Sequence, residues 1–390
     1  MNSLTLIRNI RVLCPEDKGT LDVLIAGDKV VAMDKSIAIS SNMLIEVDGS
    51  GKVLMPGLVD SLVHITGGGG EGGFHTRTPQ MSLTDATTGG VTTVIGALGT
   101  DATTRTLPDL LAKARGLETE GLSVYCYTGS YQLPPRTITG NVTDDIVLIE
   151  KFIGIGEVAI ADHRSSQPTP RELMQIASDA RVGGMLSGKS GIVSIHVGDG
   201  AGQLKLLHEV VEQSDIPASQ FYPTHINRNQ SLLDAGIAWT RAGGRIDFTS
   251  STNAQFICEG EIPAAEALAY CLQEGVDATQ LTISSDGNAS LPVFDQKGQL
   301  IGLEVGQVGS LYQSFCDAVH KYQAPLEKAL ASVTKSPADI LGLSHKGRIE
   351  PGCDADLIIA AADSLQIESV YARGRLMLRD GKACVKGTFE

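Results

Sequence analysis

Five residues of the sequence carry groups that bind divalent metal ions and lie next to short apolar segments. They are His64, Glu157, His196, His225 and Asp286. We expect each of them at the end of a separate strand, where parallel strands present their side chains to one face. Three imidazoles and two carboxylates suit zinc or a similar divalent ion. Two such ions could share one bridging carboxylate and activate a water molecule between them.

The chain between about residues 57 and 342 alternates apolar strand segments with helical segments. Runs such as GVTTVIGAL, GIVSIHVGD and FYPTHINR are typical of strands, whereas TLPDLLAKARGLETEG and LKLLHEVVEQS are typical of helices. This alternation predicts an α/β fold with a parallel sheet. Seven or eight such units predict a (β/α)8 TIM-like barrel, in which the chemistry lies at the carboxyl ends of the strands.

Both ends of the sequence are rich in strand segments separated by turn residues. LTLIRNIRVL and LDVLIAGDKVVAM lie near the beginning, and ADLIIAA and IESVYARGRLML lie near the end. The ends of a domain often lie close together in space. We therefore expect a small β-sandwich domain built from residues 1–55 plus 343–390, and a barrel that carries the site over residues 56–342.

The composition argues against several classes of protein. A net charge of −14 disfavours binding to nucleic acid, which needs a basic surface. The chain has no apolar run of the roughly 18 residues that a membrane span requires, and its first residues lack the features of a signal peptide. Its seven cysteines form no CxxC pair, which disfavours a disulfide scaffold or a cysteine zinc site. We expect a soluble cytoplasmic protein that binds neither nucleic acid nor membrane.

Several longer motifs resemble known sequences. The segments IEVDGSGKVLMPGLVD and GRIEPGCDADLII resemble the frame of the amidohydrolase superfamily. More narrowly, GGGGE, TRTP, GVTTVIGALGTD, RTITGNV, ADHRSSQP, PTHINRN and SSDGN resemble the bacterial isoaspartyl dipeptidases, and this resemblance covers essentially the whole chain. It implies a barrel of amidohydrolase type with a small β domain, and a zinc metalloprotease that cleaves β-aspartyl dipeptides.

The resemblance also implies a metal-binding site. In this family, two zinc ions are held by an HxH pair, a carboxylated lysine, two further histidines and an aspartate. His64 matches the second histidine of the pair, and His196 and His225 match the two later histidines. Asp286 matches the aspartate, so that four of the six family positions keep their residue type.

Two of the metal-binding positions depart from the family pattern. Leu62 stands at the first histidine of the pair, and Glu157 stands at the carboxylated lysine. Glutamate and carboxylated lysine both present a singly charged carboxylate, so Glu157 can bridge two ions, whereas leucine has no lone pair. We expect one or two zinc ions per subunit. The more complete site uses Glu157 with the two later histidines, and the weaker site uses Glu157 with His64 and Asp286.

The same resemblance implies roles for residues that contact the substrate. The expected substrate-binding residues are Glu71, Gly69, Thr100, Arg164, Arg228 and Ser290, and the expected catalytic residues are Asp286 and Tyr131. Glu71 would bind the free α-amino group of a dipeptide, and the two arginines would bind its carboxylates. Asp286 would move a proton from water to the leaving amine, and Tyr131 would stabilise the oxyanion.

The expected function is hydrolysis of β-aspartyl (isoaspartyl) dipeptides, in which a metal-activated hydroxide attacks the side-chain-linked amide. Two alternatives stay open. A cyclic-amide hydrolase of the dihydroorotase or hydantoinase type is disfavoured by Glu71 and Arg228, which match a zwitterion. A catalytically impaired relative that acts as a binding protein is favoured by Leu62. The resemblance further implies a homo-oligomer, and Gln80 stands where the family pattern has glutamate.

Overall fold

The computed structural model describes residues 4–294 and 300–390, which contain nineteen strands and eleven α-helices. The strands are β1 (Leu4–Leu13), β2 (Asp17–Ala26), β3 (Lys29–Asp34), β4 (Leu44–Asp48), β5 (Lys52–Pro56), β6 (Leu58–Val63), β7 (Val91–Gly96), β8 (Ser123–Thr128), β9 (Phe152–Ile160), β10 (Ile192–Val197), β11 (Phe221–Thr224), β12 (Ile246–Thr249), β13 (Leu281–Ser284), β14 (Ser290–Phe294), β15 (Leu300–Val305), β16 (Leu357–Ala361), β17 (Ile367–Ala372), β18 (Arg375–Arg379) and β19 (Lys382–Ala383). The α-helices are α1 (Leu83–Thr87), α2 (Leu107–Glu120), α3 (Val142–Leu148), α4 (Pro170–Ser187), α5 (Lys205–Glu212), α6 (Gln230–Arg241), α7 (Ala254–Cys258), α8 (Ala264–Gln273), α9 (Ser310–His320), α10 (Leu326–Val333) and α11 (Lys335–Ile340).

Eight parallel strands, β6 to β13, carry the candidate site. The first six form one sheet in the order β11-β10-β9-β8-β7-β6, and β12 pairs with β13 in a second sheet. Their residues are almost all buried, as expected for parallel strands that are covered on both faces. The amide of His64 donates to the carbonyl of Gly287 at 2.9 Å, which connects the end of β6 with the segment after β13. The predicted α/β fold with a parallel sheet is confirmed.

The helices between these strands begin and end at residues suited to those positions. Helix α2 begins after Thr106, whose hydroxyl accepts from the amide of Asp109 at 3.3 Å. Helix α4 begins with a capping box, in which Thr169 and Glu172 satisfy each other's free backbone amides. It ends at Gly188, where a φ of +69° suits glycine. The signals of α2 explain why its boundaries lie close to those of the predicted helical segment TLPDLLAKARGLETEG.

A nine-stranded sheet contains strands from both ends of the chain. Strands β1 to β5 come from the first part of the sequence, and β16 to β19 come from the last part. They meet where β5 pairs with β16 in an antiparallel register, with Pro56 opposite Leu357. The sheet contributes Ile7, Leu54 and Ile359 to a buried apolar cluster.

The described residues also bear on membranes and disulfides. Within them, no helix combines the length and the apolar character that crossing a membrane requires. All seven cysteines lie in the described ranges and carry free thiols. Burial raises the pKa of the Cys126 thiol to about 12, so this side chain behaves as an inert apolar group in the core.

A buried cluster of charges around Lys346 joins the nine-stranded sheet to the parallel sheet. The ammonium group of Lys346 lies 2.7 Å from Asp354 and 2.6 Å from Asp356, which directly precedes β16. It also donates to the hydroxyl of Ser123, the first residue of β8, at 2.5 Å. Burial opposes the charge of Lys346, but the two carboxylates outweigh it and raise its pKa above the usual value.

Replacing Lys346 with methionine should lower the free energy of unfolding by about 3–5 kcal/mol, because the buried carboxylates of Asp354 and Asp356 lose their cation. Urea denaturation followed by fluorescence would measure the change. The control is Lys335→Met, which removes an exposed pair with Glu16 at 2.9 Å and should cost less than about 1 kcal/mol. Similar small losses in both variants would contradict a stabilising role for the Lys346 cluster.

Candidate metal-dependent active site

Four of the predicted metal ligands lie at or just beyond the ends of parallel strands. His64 directly follows β6, His196 is the penultimate residue of β10, and His225 directly follows β11. Asp286 lies two residues beyond β13. His225 and Asp286 have φ values of 64° and 52°. This left-handed conformation is uncommon for residues other than glycine, and such outliers cluster at functional sites.

Glu157 lies elsewhere than predicted, because it belongs to the interior of β9 and not to its end. The strand continues past it to Ile160, since the following residues are apolar and pair with β10. The register between β9 and β10 is irregular next to Glu157, and such irregularities re-aim side chains near active sites. Gly156 allows the close packing of β9 on β10, since a Cβ there would lie 2.6 Å from Cβ of Ser194.

Glu157, His196 and His225 form a group whose ligand atoms all lie within 4.8 Å of one another. Oε2 of Glu157 lies 3.3 Å from Nδ1 of His196 and 3.6 Å from Nε2 of His225. Burial alone would raise the pKa of Glu157, but the surrounding histidines outweigh it and hold that pKa well below the usual range. Burial, together with the nearby His196 and Arg228, lowers the pKa of His225 to about 4. Its imidazole is therefore neutral, which is the form that binds metal.

His64 contacts both the other carboxylate oxygen of Glu157 and the carboxylate of Asp286. Nε2 of His64 lies 3.3 Å from Oε1 of Glu157 and 3.2 Å from Oδ1 of Asp286. Both oxygens are buried and lack a hydrogen bond of good geometry, and the same holds for Nδ1 of His64. Buried lone pairs that converge in this way fit a shared cation. The donor set present in the chain thus suits a divalent metal ion.

A proton on His64 is a second way to neutralise these two carboxylates. Burial opposes protonation of His64, but the negative charges of Asp286 and Glu157 outweigh it and raise the pKa of His64 to about 10.

Leu62 contributes no ligand but keeps a positioning contact. Its side chain is buried in an apolar cluster that includes Val59, Ile95 and Tyr127. Its carbonyl accepts a hydrogen bond from the amide of Asp286 at 3.1 Å. The backbone of this position therefore aligns Asp286, while the side chain fills the apolar layer below the site.

We call Glu157, His196 and His225 the candidate metal-binding cluster. A cavity of about 190 Å³ lies beside this cluster. All the predicted substrate-binding and catalytic residues line it, namely Gly69, Glu71, Thr100, Tyr131, Arg164, Arg228, Asp286 and Ser290. Within it, Oε1 of Glu71 lies 3.3 Å from Nη1 of Arg164 and accepts from the hydroxyl of Thr100 at 2.8 Å. The cavity wall thus presents an anion and a cation side by side.

Tyr131 and Arg228 are held by contacts with the ends of the strands. The hydroxyl of Tyr131 lies 2.8 Å from Nδ1 of His196, next to the metal-binding cluster. Burial and the charge of Glu157 raise the pKa of Tyr131 well above its usual value, so the phenol stays a hydrogen-bond donor. Nε of Arg228 donates to the carbonyl of Val197 at 2.8 Å, which orients the guanidinium at the cavity wall.

The glycine-rich loop comes close to other parts of the site. Gly69 has a φ of +66°, and a Cβ at this position would lie 2.8 Å from Cβ of Ser290. Glycine is therefore required both by the backbone conformation and by the space. Gly99 packs against the ring of His64, where a Cβ would lie 3.0 Å from Cε1. Gln80, which departs from the family pattern, is exposed.

Two polar residues behind the metal-binding histidines were not predicted. Oδ2 of Asp162 lies 3.0 Å from Nε2 of His196, and the hydroxyl of Thr249 lies 2.5 Å from Nδ1 of His225. The carboxylate in the ADHRS motif, directly after an apolar strand, could have indicated Asp162. Thr249 ends β12, but an uncharged hydroxyl at a strand end carries little information in a single sequence.

Comparisons with known proteins identify the family of this chain. The sequence model of the amidohydrolase family matches residues 53–377. The structure of a β-aspartyl dipeptidase from Fervidobacterium islandicum AW-1, solved in complex with the β-Asp-Leu dipeptide, is 43% identical, covers 97% of this chain and 98% of its own, and superposes with a TM-score of 0.90.

More distant relatives act on other compounds. A dihydroorotase from Wolbachia sp. subsp. Drosophila simulans is 27% identical, over 90% of this chain and 85% of its own. The dihydropyrimidinase from Brevibacillus agri NCHU1002 is 16% identical over 98% of this chain and 97% of its own, with a TM-score of 0.66, and shares the fold. The family match and the 43% identity confirm the resemblance inferred from the motifs. The chain belongs to the amidohydrolase family.

Proposed function

We propose that the protein is a metal-dependent dipeptidase that hydrolyses β-aspartyl dipeptides. The observation that carries this proposal is the pair of opposite charges, Glu71 and Arg164, 3.3 Å apart in the cavity beside the metal-binding cluster. In a β-aspartyl dipeptide the α-amino and α-carboxylate groups of the aspartyl residue are both free and are attached to one carbon. An adjacent carboxylate and guanidinium match these two groups. The 43% identity to a dipeptidase solved with β-Asp-Leu supports the same class of substrate.

Arg228 would bind the second carboxylate of the substrate, which belongs to the leaving residue. Its guanidinium lines the same cavity and is oriented by the carbonyl of Val197. Arginine binds carboxylate through two parallel hydrogen bonds, so one arginine for each carboxylate is sufficient. Ser290, which lies against Gly69, adds a hydroxyl to the binding surface.

Hydrolysis of a cyclic amide is the second candidate, because dihydroorotases and allantoinases are among the distant relatives. Dihydroorotate has a carboxylate but no free ammonium group, so Glu71 would have no partner on such a substrate. The adjacent charges of Glu71 and Arg164 therefore favour the dipeptide.

The residues of the site divide the chemical work between them. A divalent ion held by Glu157, His196 and His225 would polarise the scissile carbonyl and lower the pKa of a water molecule. His64 outweighs the effect of burial and lowers the pKa of Asp286, so this carboxylate is ionised and can accept a proton from the attacking water. It would then return the proton to the leaving amine. Tyr131 would donate a hydrogen bond to the carbonyl oxygen as negative charge develops there.

Zinc is the proposed metal, because imidazole and carboxylate ligands suit it. The two oxygens of Glu157 face different histidines, with Oε2 towards His196 and His225 and Oε1 towards His64. This arrangement supports a bridging role for Glu157 in place of a carboxylated lysine. The second ion should bind more weakly, since Leu62 supplies no ligand.

The finer organisation of the chain is also a proposal. A closed (β/α)8 barrel over residues 56–342 is supported by eight parallel strands and by the hydrogen bond from His64 to Gly287. The sheet that combines both ends of the chain supports one small β domain from residues 1–55 plus 343–390, and its sandwich form stays a prediction. Homo-oligomeric assembly stays a prediction. A cytoplasmic location also stays a prediction, with which the seven free thiols are consistent.

The purified protein should hydrolyse β-Asp-Leu, lose this activity when a chelator removes the metal, and regain it with added zinc. Mass spectrometry of released leucine would measure turnover. The matched control substrate is α-Asp-Leu, which lacks the free α-carboxylate that Arg164 would bind and should be a poor substrate. Turnover of dihydroorotate but not of β-Asp-Leu would support the cyclic-amide reading. Binding of β-Asp-Leu without turnover under any metal would instead indicate a binding protein.

Replacing Asp286 with asparagine should lower kcat for β-Asp-Leu by about 10²–10⁴-fold, because the amide cannot accept the proton of the attacking water. The Kd of the substrate, measured by calorimetry, should change little, and metal content should be measured in parallel. The control is Asp101→Asn on the same cavity wall, which should keep activity near that of the parent. Parental activity in Asp286→Asn would remove Asp286 from the mechanism.

Replacing Leu62 with histidine should raise the affinity for the second metal ion, because it adds an imidazole at the position of the missing ligand. Metal per chain, measured by mass spectrometry of the elements after dialysis against limiting zinc, would report the change. Leu62→Met is the control, since it conserves volume and adds no imidazole. Equal metal content in both variants would show that the missing ligand does not limit occupancy.

A further inference from the structure

We propose that Asp162 is a positioning residue that sets the geometry of the metal-binding His196 and of the substrate-binding Arg164 at the same time. The inference deepens the proposed function, since it requires a metal ion at His196. Asp162 lies two residues beyond the end of β9 and is only 6% exposed. A carboxylate with so little access to water must be paired with donors, and its donors identify its role.

The first donor is the imidazole of His196. Its Nε2 lies 3.0 Å from Oδ2 of Asp162, and its Nδ1 lies 3.3 Å from Oε2 of Glu157 in the metal-binding group. A histidine whose far nitrogen is bound to a carboxylate presents the near nitrogen to the metal in a fixed orientation and with raised basicity. Asp162 therefore selects which nitrogen of His196 faces the cluster.

The second donor is the guanidinium of Arg164. Its Nε donates to Oδ1 of Asp162 at 3.0 Å, and its Nη2 donates to Oδ2 at 2.7 Å. This two-point contact fixes the plane of the guanidinium. The remaining Nη1 is directed at Glu71, 3.3 Å away. We place the α-amino and α-carboxylate groups of the substrate beside this pair. One carboxylate therefore holds a metal ligand on one side and a substrate-binding group on the other.

The backbone around Asp162 is itself held in place. Ala161 has a φ of 51°, which is uncommon for a residue with a side chain and turns the chain at the end of β9. The amide of Gly200 donates to the carbonyl of Ala161 at 2.8 Å. The loop after β10 packs so closely that a Cβ at Gly198 would lie 2.7 Å from Cβ of Asp162. These contacts maintain the strained backbone conformation of Ala161, and such strain is common at functional sites, where a side chain must keep one orientation.

The test compares Asp162→Asn with Arg164→Gln. Zinc affinity is measured by competition with a chromophoric chelator, and the visible spectrum of the cobalt-substituted protein reports ligand geometry. In Asp162→Asn, zinc affinity should fall about 10–100-fold and the cobalt spectrum should change. In Arg164→Gln, the contact of Asp162 with His196 remains, so zinc affinity and the cobalt spectrum should stay as in the parent, while KM for β-Asp-Leu rises.

A purely structural role predicts a lower melting temperature without a change in zinc affinity or in the cobalt spectrum, and that result would overturn the proposal. An equal loss of zinc affinity in Arg164→Gln would also overturn it. If Asp162→Asn does not fold, Asp162→Glu keeps the charge at a shifted position and should give weakened zinc binding with an altered spectrum. Unchanged values there would overturn the proposal. Zinc affinity is read without turnover, so a failure of the proposed dipeptidase activity is distinguishable from a failure of this inference.

Discussion

The buried negative charge of Glu157 is the constraint on which the rest of the site depends. Moving a carboxylate out of water costs several kcal/mol, and that cost is offset only by close cations or donors. Glu157 is 1% exposed, and the groups that approach it are three histidines from β6, β10 and β11 or the residues directly after them. The order and register of the parallel strands therefore determine whether this charge can exist at all. A divalent ion bound here would add to the neutralisation of Glu157 by these histidines.

Around this centre, Asp162 contacts both His196 of the proposed metal-binding group and Arg164 of the proposed substrate-binding group. The chain as a whole carries a charge of −14, yet the groups proposed to bind the substrate carboxylates are arginines. Exposed charges more than about 10 Å away are largely screened at ordinary ionic strength, so the local arginines decide what binds. In the proposed function, the identity of the ligand is therefore set by a few paired side chains and not by the overall charge.

The sequence predicted the parts of this arrangement that follow from periodicity and from residue type. Apolar runs with polar ends indicated the parallel strands and the convergence of His64, His196 and His225. The place of Glu157 inside β9 was missed, because the apolar residues on both of its sides do not reveal where a strand ends. Asp162 contacts a residue 34 positions away, and that contact depends on strand register, which a single sequence does not specify. The contact from Leu62 to Asp286 uses a carbonyl group, which every residue has, so no residue type could reveal it.

The pairing of β5 with β16 has a consequence for how the chain is made. The two strands are neighbours in one sheet, but about 300 residues of the chain lie between Pro56 and Leu357, and the ribosome synthesises those residues in roughly 15–60 s at ~5–20 residues per second. During that time β5 has no partner on the side that β16 later occupies, and such an open edge is a template for pairing with another chain. Nascent chains can therefore associate with each other, or be bound by chaperones, through this open edge until the last strands leave the ribosome.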